Sequence, residues 1–189
     1  MKILGGYLKG RNFYLPQGVR ATQNIIRKAL FDILGQELDP VEFLELFAGS
    51  GSVGLEAVSR GARKVTFVDH DAHCIKVIEE NINLLGINGN QRTEIPYELI
   101  NLDAFAAIKH FGRKGKKFDI IFVDPPYDLG LAKKTLKLLT SYDILQPNCF
   151  LILQHEKHET LPSAEGRVLL IKQRKYGSSY LSIYQKSPE

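Results

Sequence analysis

The sequence predicts a mostly parallel, seven-stranded α/β sheet with helices on both faces, an antiparallel C-terminal hairpin and a small basic N-terminal arm. Three observations carry that expectation. Between Glu42 and Gln154, apolar bursts of four to six residues alternate with longer stretches of helical spacing, as parallel strands joined by crossover helices require. The first burst runs straight into a glycine-rich turn that opens a helix. Towards the C-terminus the rhythm changes to two β-branched or alternating runs, joined by a polar link too short for a crossover helix.

Taken in order, residues 2–7 and 12–15 read as a basic hairpin joined through Lys9-Gly10-Arg11. Thr22 is placed to cap a helix whose apolar positions Ile25, Ile26, Ala29, Leu30, Ile33 and Leu34 share one face, with Gly35 as its stop. An arm of fewer than ~40 residues buries too little core to fold alone, so it should pack beside the sheet. Residues 43–47 form the first strand, followed by a helix over 52–60 and a second strand over 65–68. Residues 72–85 are helical, with Ile75, Ile78, Ile82 and Leu85 on one face. A strand near 98–102, a helix near 104–111 and a strand over 118–123 follow, then a helix over 131–139 and a strand over 150–153. Residues 167–171 and 180–184 close the sheet as a hairpin through 175–179.

At about 100–200 residues per domain, 189 residues make one domain with an appendage, divided here as 1–36 and 37–189. Apolar residues at 44% and charged residues at 24% describe an ordinary globular chain and exclude disorder as its main state. Its wholly apolar runs fall far below the ~20 residues that span a bilayer, and the opening residues lack the apolar stretch of a signal peptide. A cytoplasmic setting without membrane contact is therefore expected. Cys74 and Cys149 are the only cysteines and, like the five scattered histidines, lack ligand spacing. Neither a disulfide nor a metal is expected. Charge is unevenly placed: residues 1–36 carry a net +5, 37–108 a net −7, 109–117 a net +5 and 118–189 a net +1. An acidic middle with basic flanks suits a polyanion held at the edges of an acidic pocket, although solvated lysines would read the same way.

Two motifs can carry chemistry. Gly49, Gly51 and Gly54 form G-x-G-x-x-G between the first strand and its helix, and Asp69 ends the next strand 20 residues after Gly49. Such glycines permit a tight turn and close approach of a ligand to backbone N–H groups, while the carboxylate can accept ribose hydroxyls. NAD and S-adenosylmethionine both fit. The second motif is Asp124-Pro125-Pro126-Tyr127, directly after the strand over 118–123. The prolines freeze an extended loop. Asp124 and the Pro125 carbonyl can then accept both hydrogens of a planar –NH₂ group, and the Tyr127 ring can stack on a base.

An Asp-Pro-Pro-aromatic loop combined with this glycine loop resembles the class I S-adenosylmethionine-dependent methyltransferases, which have a Rossmann-like fold. The opening residues 3–11, Arg20-Ala21-Thr22, residues 27–31 and the stretch over 47–60 narrow the resemblance to the RsmD family, the bacterial 16S rRNA guanine-N2 methyltransferases. That resemblance implies methylation of the exocyclic N2 amine of the guanine counted as 966 in 16S rRNA, within an assembling small ribosomal subunit; a monomer is the default expectation. It also implies that Phe47, Ala48, Gly49, Ser50 and Gly51 hold the methionine end of S-adenosylmethionine, with S-adenosylhomocysteine as product. Asp69, with His70 beside it, would bind the ribose; Asp103 and Ala104 would sit by the adenine amine; Glu45 would order the loop. Lys9, Arg11, Arg20, Arg27 and Lys28 would meet RNA phosphates, with Thr22 at the mouth of the site. The family has Arg-Pro-Thr where this chain has Arg20-Ala21-Thr22, and commonly an acid where Gln154 or His155 falls, so that position receives no role.

Three other readings stay open on the residues alone. A DNA adenine-N6 methyltransferase would use the same loop but needs a target-recognition domain for which the chain has no room. An NAD-dependent dehydrogenase would leave Asp124 to Tyr127 idle. A non-catalytic RNA-binding assembly protein would have no physical need of Gly49, Gly51, Asp69 and Asp124 together.

Overall fold

A computed structural model describes residues 1–19, 21–87, 97–127 and 130–187 of the chain. Its elements are α1 (Asn24–Leu34), β1 (Glu42–Leu46), α2 (Ser52–Ser59), β2 (Lys64–Asp69), α3 (Ala72–Leu85), β3 (Tyr97–Asn101), α4 (Ala104–Arg113), β4 (Phe118–Val123), α5 (Leu131–Ser141), β5 (Leu145–Glu156), β6 (Ala164–Glu165), β7 (Val168–Tyr176) and β8 (Ser179–Lys186). One sheet runs β3-β2-β1-β4-β5-β8-β7-β6, parallel through β5 and antiparallel beyond it. The expected mostly parallel α/β architecture with an antiparallel C-terminal hairpin is what forms. Among the described residues no helix is long and apolar enough to cross a membrane.

β1, β2 and β4 are almost wholly buried because both faces of the sheet are covered there. Alternate residues feed two cores: Phe43, Phe67, Ile120 and Phe122 enter one, Leu44, Val68, Ile121 and Val123 the other. The first core also takes Ile3, Leu8, Phe13, Ile26, Leu30 and Phe31 from the N-terminal segment. Helix starts follow local chemistry where a carboxylate is available. Asp71 accepts from His73 N at 2.8 Å to open α3, and Asp103 accepts from Phe105 N and Ala106 N to open α4.

Several expectations change in detail. Among the described residues the sheet has eight strands rather than seven, because the two-residue β6 pairs with the start of β7. β5 covers twelve residues instead of four, since its start pairs with β4 at Phe118↔Leu145 and its far end stays paired with β8 through Glu156↔Ser179. The closing hairpin is tighter than expected, turning at Gly177 (φ 60°) and Ser178. The N-terminal hairpin is shorter than expected: it pairs Lys2 with Asn12, with Ile3 N donating to Arg11 O, Gly10 N to Ile3 O and Phe13 N to Met1 O. Its turn is instead pressed onto the end of α2: Tyr7 N donates to Ser59 O at 2.8 Å, and a Cβ on Gly6 would lie 1.7 Å from that oxygen. Only glycine fits so close an approach.

Two arm residues behave differently from their expected roles. Thr22 does not cap α1, which starts after Gln23 with no side-chain cap. Arg27 is fully buried and so cannot be a phosphate contact. Its guanidinium donates to Lys2 O and Asn24 Oδ1 at 2.8 Å and to Ser52 O at 3.3 Å, lies 3.5 Å from Glu56 Oε2, and stacks over Phe13. Glu56 is equally buried and also receives Arg60 at 2.8 Å and Leu4 N at 2.9 Å. Burial lowers the Arg27 pKa, and the Glu56 carboxylate opposes that shift.

Arg27→Ala should therefore cost about 3–5 kcal/mol of stability, the usual penalty for stripping one partner from a buried ion pair. Lys28→Ala, one residue along on the exposed side of the helix, should stay within ~0.5 kcal/mol. Urea unfolding midpoints of the two variants separate the cases.

Candidate active site

Parallel strands place the C-terminal ends of β1, β2 and β4 at one edge of the sheet, where ligands of such sheets bind. The loop leaving β1 takes left-handed φ at alternate positions: Phe47 57°, Gly49 52° and Gly51 67°. The three motif glycines answer to different neighbours. A Cβ on Gly49 would meet Val19 of the arm at 3.0 Å. One on Gly51 would meet Ile78 at 2.9 Å, and one on Gly54 would meet Phe67 at 2.3 Å and Glu45 Oε2 at 2.7 Å. Gly49 thus serves the cavity, while Gly51 and Gly54 serve packing beneath it.

Asp69 ties this loop to the next strand. Its Oδ2 accepts from Gly49 N at 2.8 Å, its Oδ1 accepts from Asp71 N at 2.9 Å, and His70 Nδ1 lies 3.3 Å away. A carboxylate has about four acceptor positions, so these bonds leave capacity for a ligand. Glu45 supports the loop from below, accepting from Gly54 N at 2.8 Å and Val53 N at 3.3 Å at the start of α2. Complete burial pushes its carboxyl up to about 8; the two N–H bonds oppose the rise, and the charges of Asp124 and Asp69 add to it.

A cavity of about 460 Å³ opens at this edge. Phe47, Ala48, Gly49, Ser50, Asp69 and His70 line one side, and Asp124, Pro125, Pro126 and Tyr127 the other. Thr22 lines it too, and its hydroxyl donates to Asp124 Oδ2 at 3.1 Å. The expected loop and the expected catalytic segment therefore share one cavity. Gly18, Val19, Asp71 and Cys74 also line it, and the sequence offered no signal for them. Burial pushes the Cys74 thiol up to about 12, so it stays neutral.

Four expected cofactor contacts fall outside the lining. Glu45 and Gly51 act beneath the loop, as above. Asp103 spends Oδ1 on the α4 cap, and Ala104 is buried in the core beneath that helix. Tyr127 is held by residues that sequence reasoning left without a role. Its hydroxyl lies 2.7 Å from Ser179 Oγ and accepts from Gln154 Nε2 at 3.1 Å. Gln154 is wholly buried, and its Oε1 has no partner among the described residues. Its departure from the family's common acid was the available signal.

Of the expected RNA contacts, Lys9, Arg11 and Lys28 are exposed, Arg11 donating to Leu84 O at 3.3 Å. Arg20 lies outside the described residues. The basic run 113–117 sits at the opposite edge of the sheet, before β4. There Lys116 binds Glu98 and Thr66, and Lys117 binds Asp143 at 2.9 Å.

Residues 1–185 match the protein family described as conserved hypothetical protein 95. The chain is 32% identical over 187 residues to ribosomal RNA small subunit methyltransferase D of Haemophilus influenzae, covering 98% of this chain and 93% of that one. It is 29% identical over 191 residues to the Escherichia coli protein of the same name, covering 100% and 91%. The solved structure of the Escherichia coli protein yhhF, described as a candidate methyltransferase, superposes with a TM-score of 0.85 at 29% identity, covering 100% of this chain and 99% of that one.

The raised Glu45 carboxyl has a signed consequence. With a folded pKa of about 8 against an ordinary 4.5, the folded state holds a proton that the unfolded chain releases. Its stabilising contribution is complete below the unfolded value and is lost as pH rises through about 8. Relative to Glu45→Gln, the parent should lose stability between about pH 5 and pH 8 and level off above that. Urea denaturation of both proteins at these pH values measures it, and a constant difference would remove the titration from Glu45.

Proposed function

The chain belongs to the conserved hypothetical protein 95 family, that of ribosomal RNA small subunit methyltransferase D, and from that premise we propose that it is an S-adenosylmethionine-dependent methyltransferase acting on the N2 amine of a guanine in 16S rRNA. The observation that carries this reading is the meeting of Asp124 to Tyr127 with the Gly49–Asp69 loop around one cavity. Its volume lies in the range of about 300–1,000 Å³ expected for small-ligand sites.

The residues fit the cofactor. Ala48, Gly49 and Ser50 present a backbone that small or absent side chains leave open, and Asp69 keeps acceptor capacity for ribose hydroxyls. S-adenosylmethionine, when bound, supplies a methyl group already activated on a sulfonium. A guanine N2 amine is a poor nucleophile because its lone pair is delocalised into the ring. Asp124 and the Pro125 carbonyl accept its N–H groups, draw the nitrogen toward tetrahedral geometry and stabilise the positive charge that develops there. Thr22, by donating to Asp124 Oδ2, fixes the carboxylate for in-line attack. The Tyr127 ring, anchored by Gln154 and Ser179, offers the base a stacking platform. The exposed Lys9, Arg11 and Lys28 supply sequence-blind attraction for phosphates. Maturation of the small subunit, in the cytoplasm and by a monomer, is the setting this reading implies.

Asp124→Ala should lower turnover on 16S rRNA by about 10²–10³-fold, as loss of a charge-stabilising contact does, while S-adenosylmethionine affinity stays close to the parent's. Methyl transfer into rRNA with mass-spectrometric identification of N2-methylguanine, and calorimetry with S-adenosylmethionine and NAD, provide the readouts. Parental turnover in the variant, or NAD binding in place of S-adenosylmethionine, would overturn the assignment.

A further inference from the structure

We propose that the β7–β8 hairpin is a second RNA-binding wall of the site, with Lys172, Arg174 and Lys175 contacting phosphates beside the target base. This rests on the reading of rRNA as substrate and adds a surface that neither the sequence nor the family match assigned.

Placement comes first. β5 is parallel to β4, β8 is antiparallel to β5, and β7 is antiparallel to β8. β7 therefore runs in the direction of β4, and its end at Lys175 and Tyr176 reaches the edge where Asp124 stands. Ser179, the residue bonded to Tyr127, pairs with Tyr176 on one side and Glu156 on the other. Lys175 is thus one residue from the partner of the residue that anchors the stacking ring.

Charge comes second. β7 holds three cations and no carboxylate, and all three are exposed. Among the described residues none of them forms an ion pair. Lys116, Lys117 and Lys186, by contrast, are each bound to a carboxylate. Unlike the run 113–117, the end of this strand lies on the site's own edge.

Faces come third. Lys172 pairs with Ile183 and Arg174 with Leu181, and both partners belong to the core that the N-terminal segment covers. Lys172 and Arg174 consequently extend the arm's basic surface along the same side of the sheet, whereas Lys175, opposite Tyr180, faces the other side. A strand bearing cations on both faces can grip a backbone passing over its outer edge. Among the described residues that edge is open, since β6 pairs only with Val168 and Leu169. Lysines on an open edge also discourage strand-to-strand aggregation, and the test separates that role from RNA binding.

Equilibrium binding of the full chain to a 16S rRNA transcript across salt concentrations decides the matter. Replacing Lys172, Arg174 and Lys175 with Gln should weaken binding roughly tenfold or more and reduce the slope of log K against log salt by about two to three, at about 0.7–0.9 per lost phosphate contact. S-adenosylmethionine affinity should not move. The charge-preserving set Lys172→Arg, Arg174→Lys and Lys175→Arg should keep the parental slope. The single change Arg174→Gln should lower the slope by about one contact, giving a reading even if the triple variant aggregates. An unchanged slope in the Gln variants overturns the proposal and leaves the cations as edge protection. If the parent binds S-adenosylmethionine but shows no salt-dependent rRNA binding, the rRNA reading fails and the wall falls with it.

Discussion

Glu56 is the point from which the rest of the site hangs. Its carboxylate is wholly buried on α2, yet it is shared by two guanidiniums, Arg27 and Arg60, and a backbone N–H from Leu4. Burying one charge there is tolerable only because every partner is in place. Two of those partners come from the N-terminal segment, so the same carboxylate that orders α2 also fixes the arm against it. Phe31 and Phe13 close over Arg60 and Arg27, which excludes water and strengthens the cluster. The position of α2 matters because it starts directly from the glycine loop, with Gly51 as its N-cap. The position of the arm matters because Gly18, Val19 and Thr22 form a wall of the cavity.

The catalytic loop is held from the same two directions. Thr22 reaches Asp124 from the arm, while Glu45 holds the start of α2 from within β1. Asp69 then links the loop to β2 through Gly49 N. Cofactor loop, catalytic carboxylate and arm are therefore one mechanical unit. A side chain in the arm can change catalysis without touching the reacting atoms.

What the sequence revealed and concealed follows from the range of the interactions involved. Strand periodicity, the glycine turn and the strand-end acids Asp69 and Asp124 are local requirements, so they were readable residue by residue. Arg27 was not, because an arginine looks the same whether it meets a phosphate or a buried acid; its partner lies 29 positions away. Gln154 and Ser179 meet Tyr127 only through the pairing of β5 with β8. Gly51 belongs to a motif usually read as ligand contact, yet its crowding comes from Ile78 on α3. Thr22 had the right chemistry for a helix cap, but its hydroxyl is taken by Asp124 across the cavity. In each case a local signal was correct about residue type and silent about a tertiary partner.

The charge pattern now has a spatial meaning. Among the described residues the cavity lining includes Asp69, Asp71 and Asp124 and no lysine or arginine. Glu45 stands behind them and stays protonated through much of the neutral range, which spares the site a further negative charge. Such a cavity suits a cationic cofactor and repels a phosphate backbone. On the proposed reading, the phosphates must remain outside, on the arm and on β7, while the base alone passes inward to Asp124. A base within a paired, stacked helix cannot make that passage without leaving its stack. The acidic pocket and its basic rim together therefore select for a flipped or already unpaired nucleotide, and they do so through electrostatics before any base edge is read.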